Sequence, residues 1–182
     1  LLSVVSSPTS PLQYSTDQAE MLVLCGEFKI PVLINSNPIC GATAPITLSG
    51  QLVLATSEVL ACAAMSQMVN PGTPVVSCPR PVTLDMRTAQ CSYGSVEHGL
   101  MEAAMVQIAH HLGLPSDVGA LISSSKSADQ QATLEKALNS LPAVLMNTDI
   151  LTGAGSLENA AAVSLEQMLI DDDILRICLL YT

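Results

Sequence analysis

The sequence predicts an α/β protein built on a parallel sheet, and three observations carry that prediction. Short apolar runs begin near residues 31, 74, 118 and 149. Long helical patterns separate them, the arrangement of βαβ units. Each run leads into a loop of turn-forming or polar residues, and right-handed crossovers set all four exit loops on one edge of the sheet. Two closures are compatible with this, a doubly wound sheet and part of an eight-stranded barrel. No Gly-x-Gly-x-x-Gly opens the first turn, so the usual dinucleotide signature is missing. A whole barrel needs about 250 residues. About four βα units in a single domain of 182 residues therefore suit a partial TIM barrel.

Residues 1–14 are a Ser- and Pro-rich opening segment without a period. From Ser15 the pattern turns helical: Ala19, Leu22 and Val23 recur at three-to-four spacing, with Ser15, Thr16 or Asp17 as the cap. Ile30 to Ile34 reads as a short buried strand, and residues 35–45 as its loop. Thr47 to Met68 is a long helix whose one ionised residue is Glu58, a composition that predicts packing on more than one side. Pro74 to Cys78 is the next strand, and Pro79 to Ser95 its exit loop. The helix Ser95–Leu112 follows and closes on Gly113. A strand is expected around Val118 to Ile122, then a loop to Asp129 and a helix from about Gln130 to Met146. Asp149 to Leu151 is the fourth strand, residues 152–159 its loop, and roughly Ser164 to Asp172 a last helix. The chain opens without Met and stops in an apolar segment, which reads as a piece of something longer.

Apolar residues make up 49% of the chain and charged ones 12%, which argues against disorder. With no Trp, one Phe and three Tyr, the core must be aliphatic. A net charge of −10 argues against nucleic-acid or anionic-membrane partners, because no basic patch is present to neutralise phosphates. The six cysteines include no Cys-x-x-Cys pair, so a zinc site has no support and reduced thiols in a cytoplasmic protein are expected. The opening residues show no basic region followed by an apolar core, so a signal peptide is not expected, and no uninterrupted apolar run reaches about 18 residues, so neither is a membrane span.

Candidate chemistry gathers in the exit loops. Asp85, Arg87, Lys126, Asp129 and Glu158 are their ionisable members, with Arg80 at the base and Glu97 at a helix start. A carboxylate in such a mouth can hold a cation or act as a general acid when burial raises its pKa. Plainer roles stand beside these: Glu97 as a first-turn charge favoured by the helix dipole, Asp129 as an N-cap, Asp85 and Arg87 pairing across their turn, Lys126 as a solvated loop lysine. His110 and His111 are expected to serve the last carbonyls of their helix, and the role of His98 stays open. The methionines at helical spacing read as core.

Several blocks, in order, resemble the trimethylamine methyltransferase family. They include Gly41-Ala42-Thr43-Ala44-Pro45, Asn70-Pro71-Gly72-Thr73-Pro74, Asp85-Met86-Arg87-Thr88, Tyr93-Gly94-Ser95-Val96-Glu97, Ser125-Lys126 with Asp129-Gln130-Gln131-Ala132, and Ser164-Leu165-Glu166-Gln167-Met168. The resemblance implies a TIM barrel that moves a methyl group from trimethylamine, or from a quaternary amine such as glycine betaine, to the Co(I) of a corrinoid (cobalamin) carried by a cognate partner protein. It implies in-line attack on the methyl carbon, with the amine leaving. Some members use pyrrolysine to activate the amine; no such residue stands in this sequence. On this resemblance and on loop placement, Asp85, Glu97 and Asp129 are the expected catalytic carboxylates. Tyr93 is the expected cation-facing ring, and Arg87, Lys126 and Thr43 the expected substrate-binding residues. Residues 176–182 depart from the family's pattern. The rival expectation is a non-catalytic α/β piece acting as a binding or assembly module, since a half-barrel leaves two unpaired edges that invite pairing, a homo-oligomer included.

Overall fold

In the computed structural model, which describes residues 2–179, five strands run parallel in chain order, each followed by a helix. The first is β1 (Val4–Ser6), inside the stretch that the sequence presents as aperiodic. Then come α1 (Thr16–Phe28), β2 (Val32–Ile34), the two-residue β3 (Ile39–Cys40) and α2 (Leu48–Val69). β4 (Val75–Ser77) leads into a hairpin of β5 (Val82–Asp85) and β6 (Gln90–Ser92), and then into α3 (Val96–His111). β7 (Asp117–Val118), α4 (Gln130–Leu145) and β8 (Ile150–Leu151) follow. A small hairpin, β9 (Ser156–Leu157) with β10 (Ala162–Val163), precedes α5 (Leu165–Leu179).

β1 pairs parallel with β2 and β2 with β4; a parallel bridge between Ser77 and Ser116 carries the series to β7, which pairs parallel with β8. The order β1-β2-β4-β7-β8 never reverses. A doubly wound sheet would turn back on its first strand, so the described residues hold no such switch point. The expected count of about four strand–helix units is corrected to five. Three residues are too few to show a two-fold alternation, so β1 has no periodic signal of its own.

Helix starts are local and match their sequence cues. Ser15, Thr47, Ser95 and Asp129 each cap a helix by accepting a backbone N–H from the third residue on. Two boundaries move. The strand expected over Val118 to Ile122 is only Asp117–Val118, because Ile122 N–H turns back to the Gly119 carbonyl. The last helix runs past Asp172 to Leu179, with Ile174 and Cys178 buried in a cluster with Val144. Residues 180–182, the end of the stretch that departs from the family's pattern, lie outside the described residues.

The main core lies between sheet and helices. Val32 and Ile34 face Leu22, Cys25, Val59 and Cys62 from α1 and α2. Alternation along the strands sends Leu33 and Val5 to the other face, where Val5 is 53% exposed. All six cysteines are free. Met101 and Met105 are core as expected, whereas Met68 and Met86 are exposed. By length and composition α2 is long and apolar enough to cross a membrane. Glu58 in its middle is fully buried, however, and accepts hydrogen bonds from the Ser10 and Ser36 hydroxyls and the Leu12 N–H. Those bonds tie the loops after β1 and β2 to the helix, the behaviour of a core helix in a folded domain.

Candidate active site

The small sheet β3-β5-β6 stands beyond the C-terminal end of β4 and carries Asp85 and Arg87. Asp85 is drawn into its own turn, accepting from the Arg87 backbone N–H at 2.9 Å and the Thr88 hydroxyl at 3.0 Å. Those bonds hold its carboxyl below the ordinary carboxylate value. The Arg87 side chain is exposed at the hairpin tip, so the contact across this turn is made by backbone. Thr43 follows β3, and its hydroxyl accepts the Ile39 N–H at 2.9 Å. Asp129 takes the N-cap role: it accepts from Ala132 N–H at 2.9 Å and from the Ser125 and Ser127 hydroxyls, and these bonds lower its pKa. Lys126 is 78% exposed and 3.8 Å from Glu158. Glu97 is exposed in the first turn of α3. His110 does not serve the helix carbonyls; it meets Asp149 at 3.1 Å, near Ser116.

Tyr93 joins these loops to the interior. Its carbonyl accepts from Asn139 on α4 at 2.8 Å, and Gly94 N–H donates to the Ser124 hydroxyl at 3.0 Å. Its ring meets His98 edge to face, with centroids 5.2 Å apart and planes at 84°. Burial raises its phenol pKa. The structure therefore sets Thr43, Asp85 and Arg87 on and beside one small sheet, Lys126 and Asp129 on the next exit loop, and Tyr93 between the two.

Behind Tyr93 lies a buried charged cluster that the sequence reading did not assemble. Arg80 Nη2 is 2.7 Å from the Thr152 hydroxyl, 3.2 Å from Cys78 Sγ and 3.4 Å from Asp117 Oδ1. The Thr152 hydroxyl also donates to Asp117 Oδ1 at 2.9 Å. From α3, His98 Nδ1 meets the Pro81 carbonyl at 2.9 Å, and Glu102 Oε2 accepts the Gly119 N–H at 3.0 Å. Asp117, His98 and Glu102 are at most 1% exposed. Four buried atoms here have no partner: Arg80 Nη1, Asp117 Oδ2, His98 Nε2 and Glu102 Oε1. Buried polar atoms are normally satisfied, so four orphans in one buried charged cluster set it apart from ordinary packing. Burial pushes the Glu102 carboxyl up to about 8 against the pull of Arg80, pushes His98 down to about 4, and pushes the Cys78 thiol up to about 12. A signal was present in the sequence: Asp117 abuts an apolar strand, and His98 and Glu102 share a helix face at i, i+4.

A family profile described as trimethylamine methyltransferase (MTTB) matches residues 1–182. The chain belongs to the trimethylamine methyltransferase family. It is 35% identical over 176 residues to trimethylamine methyltransferase MttB1 of Methanosarcina acetivorans, a match covering 97% of this chain and 36% of that protein. It is 35% identical over 174 residues to trimethylamine methyltransferase MttB of Methanosarcina barkeri, covering 96% of this chain and 35% of that protein. It is 36% identical over 182 residues to the glycine betaine methyltransferase of Desulfitobacterium hafniense, covering all of this chain and 38% of that protein. The chain thus spans a little over a third of the length of the family members it matches.

Proposed function

We propose that this chain is one sector of a methyltransferase barrel that moves a methyl group from a methylated amine to the cobalt of a corrinoid carried by a partner protein. The observation that carries this reading is the family match along the whole chain, with relatives named for trimethylamine and for glycine betaine. The unreversed strand order supports a barrel, where function gathers at the C-terminal strand ends. The Arg80–Asp117 cluster and the β3-β5-β6 sheet both stand at those ends.

Among the described residues no group of three or more His, Cys, Asp or Glu side chains is placed to ligate a metal. Cobalt(I), when presented by its carrier, supplies the electron pair that accepts the methyl group. The work left to the chain is to bind and orient. Asp85, Glu97 and Asp129 are carboxylates that would offset a methylammonium charge, and Tyr93 a ring that could face it. Thr43, Arg87 and Lys126 would contact substrate at the rim. A quaternary amine leaves as a neutral amine when the C–N electron pair returns to nitrogen, whereas neutral trimethylamine first needs activation.

The test is methylation of a Co(I) corrinoid protein by the intact protein, with trimethylamine and with glycine betaine in separate assays. Turnover with one of them is expected. Absence of turnover with every methylated amine tried would sink the reading.

A further inference from the structure

We propose that Glu102 is a neutral acid that turns its proton toward His98, and that this pair positions the two segments carrying Arg80, after β4, and Asp117, on β7. Both side chains are fully buried one helical turn apart on α3. A carbonyl only accepts, so the bond to Pro81 places a hydrogen on His98 Nδ1 and leaves Nε2 of the neutral ring an acceptor, although the Gly119 backbone also lies close enough to the ring to favour its protonated form. Glu102 uses Oε2 on the Gly119 N–H, while Oε1 has no partner and stands 3.8 Å from His98 Nε2. That gap is too long for a hydrogen bond, so sharing the proton requires the Glu102 carboxyl to turn toward His98. One proton on Oε1 then satisfies two orphaned atoms at once.

Charge counting leads to the same place. The groups facing Glu102 are Arg80 and Cys78 after β4, Asp117 on β7, Tyr93 in the loop before α3 and His98 in its first turn. Cys78 and Tyr93 keep their protons at neutral pH, since burial raises both. Arg80 and Asp117 form an ion pair. An ionised Glu102 beside a neutral His98 would leave one uncompensated negative charge in a dry cluster, and the shared proton removes it.

The pair reaches the mouth through two backbone atoms. His98 holds the Pro81 carbonyl, next to Arg80, and Glu102 holds the Gly119 N–H, two residues past Asp117. Arg80 lies flat against Gly119, where even a Cβ would collide with Nη1. Any shift of either loop therefore displaces the guanidinium.

The pH dependence has a definite sign. Glu102 in the unfolded chain ionises near 4.5, and in the folded chain near 8. Between those values the folded state holds the extra proton, so its stability falls tenfold in equilibrium constant per pH unit. His98, near 6.5 unfolded and about 4 folded, gives the opposite slope between about 4 and 6.5. The two cancel up to about pH 6.5, leaving a net loss of about 30-fold from there to about pH 8, and no further slope from this pair above it.

Two measurements on the intact protein decide the matter. Nitrogen-15 NMR of the histidine rings at pH 7 should show His98 neutral with hydrogen on Nδ1; the signal is assigned by its loss in His98→Asn or, if that variant does not fold, by its shift in Glu102→Gln. An imidazolium, or hydrogen on Nε2 alone, overturns the proposal. In denaturant titrations from pH 6.5 to 8, Glu102→Gln should be more stable than wild type at pH 6.5, by up to about 100-fold in equilibrium constant, and should lose the slope that wild type shows, because its amide reproduces the donor and the acceptor without taking up a proton on folding. Glu102→Ala should be less stable than Glu102→Gln throughout, because it leaves the Gly119 N–H unpaired. Equal damage from both variants overturns the proposal. A methyl-transfer assay rests on the proposed function and adds a separate arm: Glu102→Ala raises KM more than Glu102→Gln does. If no variant or wild type turns over, the proposed function falls while the NMR and stability outcomes still judge the pair.

Discussion

Two neighbouring helices each bury a glutamate in mid-helix, and the two acids are treated oppositely. Glu58 on α2 accepts from the Ser10 and Ser36 hydroxyls and from the Leu12 N–H. Glu102 on α3 accepts one backbone N–H and leaves its other oxygen orphaned beside His98. The first has the donors that stabilise a carboxylate; the second has surroundings that favour a carboxylic acid. Burial alone therefore does not set the role of an acid. The number of donors that reach it does. The buried Lys136–Asp171 pair sides with Glu58: at 2.7 Å, with Gln167 and the Gly155 N–H also donating to Asp171, its charges are well compensated.

Breaking the compensated region should have the largest effect. Asp171→Ala leaves the Lys136 ammonium buried and unpaired and should cost about 3–5 kcal/mol in denaturant unfolding. Glu58→Gln presents an amide to a site built of donors and should cost about 1–3 kcal/mol. The same substitution at Glu102 should cost nothing at pH 6.5 and should raise stability there, since the amide needs no proton on folding, and that pair of measurements is the sharpest form of the comparison. Equal costs at the two positions would abolish the distinction. Asp129→Ala removes the cap of α4 and should cost about 1 kcal/mol, read as a lower melting temperature. Lys126→Ala, at an exposed 3.8 Å pair, should leave stability within about 0.5 kcal/mol; a larger loss would give this rim lysine a structural part.

Most helices and their caps were legible because their signals are local: a Ser, Thr or Asp three residues ahead of the N–H it accepts, followed by an apolar period. β1 was hidden by its shortness and its Ser and Pro neighbours. The β5–β6 hairpin was hidden because its turn carries no Asn-Gly or Asp-Gly; Ala89 takes the left-handed conformation instead, at φ 56°. Asp129 carries a visible cap signature, and the cap is what the fold makes of it. Arg80 and His98 were visible as residues without visible partners.

The sequence by itself determined the alternation of strand runs and helices, the aliphatic core and the family, since each depends on residue types at short spacing or on blocks in order. Only the tertiary structure decided the count of five strands in the parallel series, its unreversed order and the partners of the buried charges. Arg80 meets Asp117 across 37 residues and Thr152 across 72. A protonation state set by groups that far apart in the chain has no local pattern to read, because desolvation and charge pairing act through space.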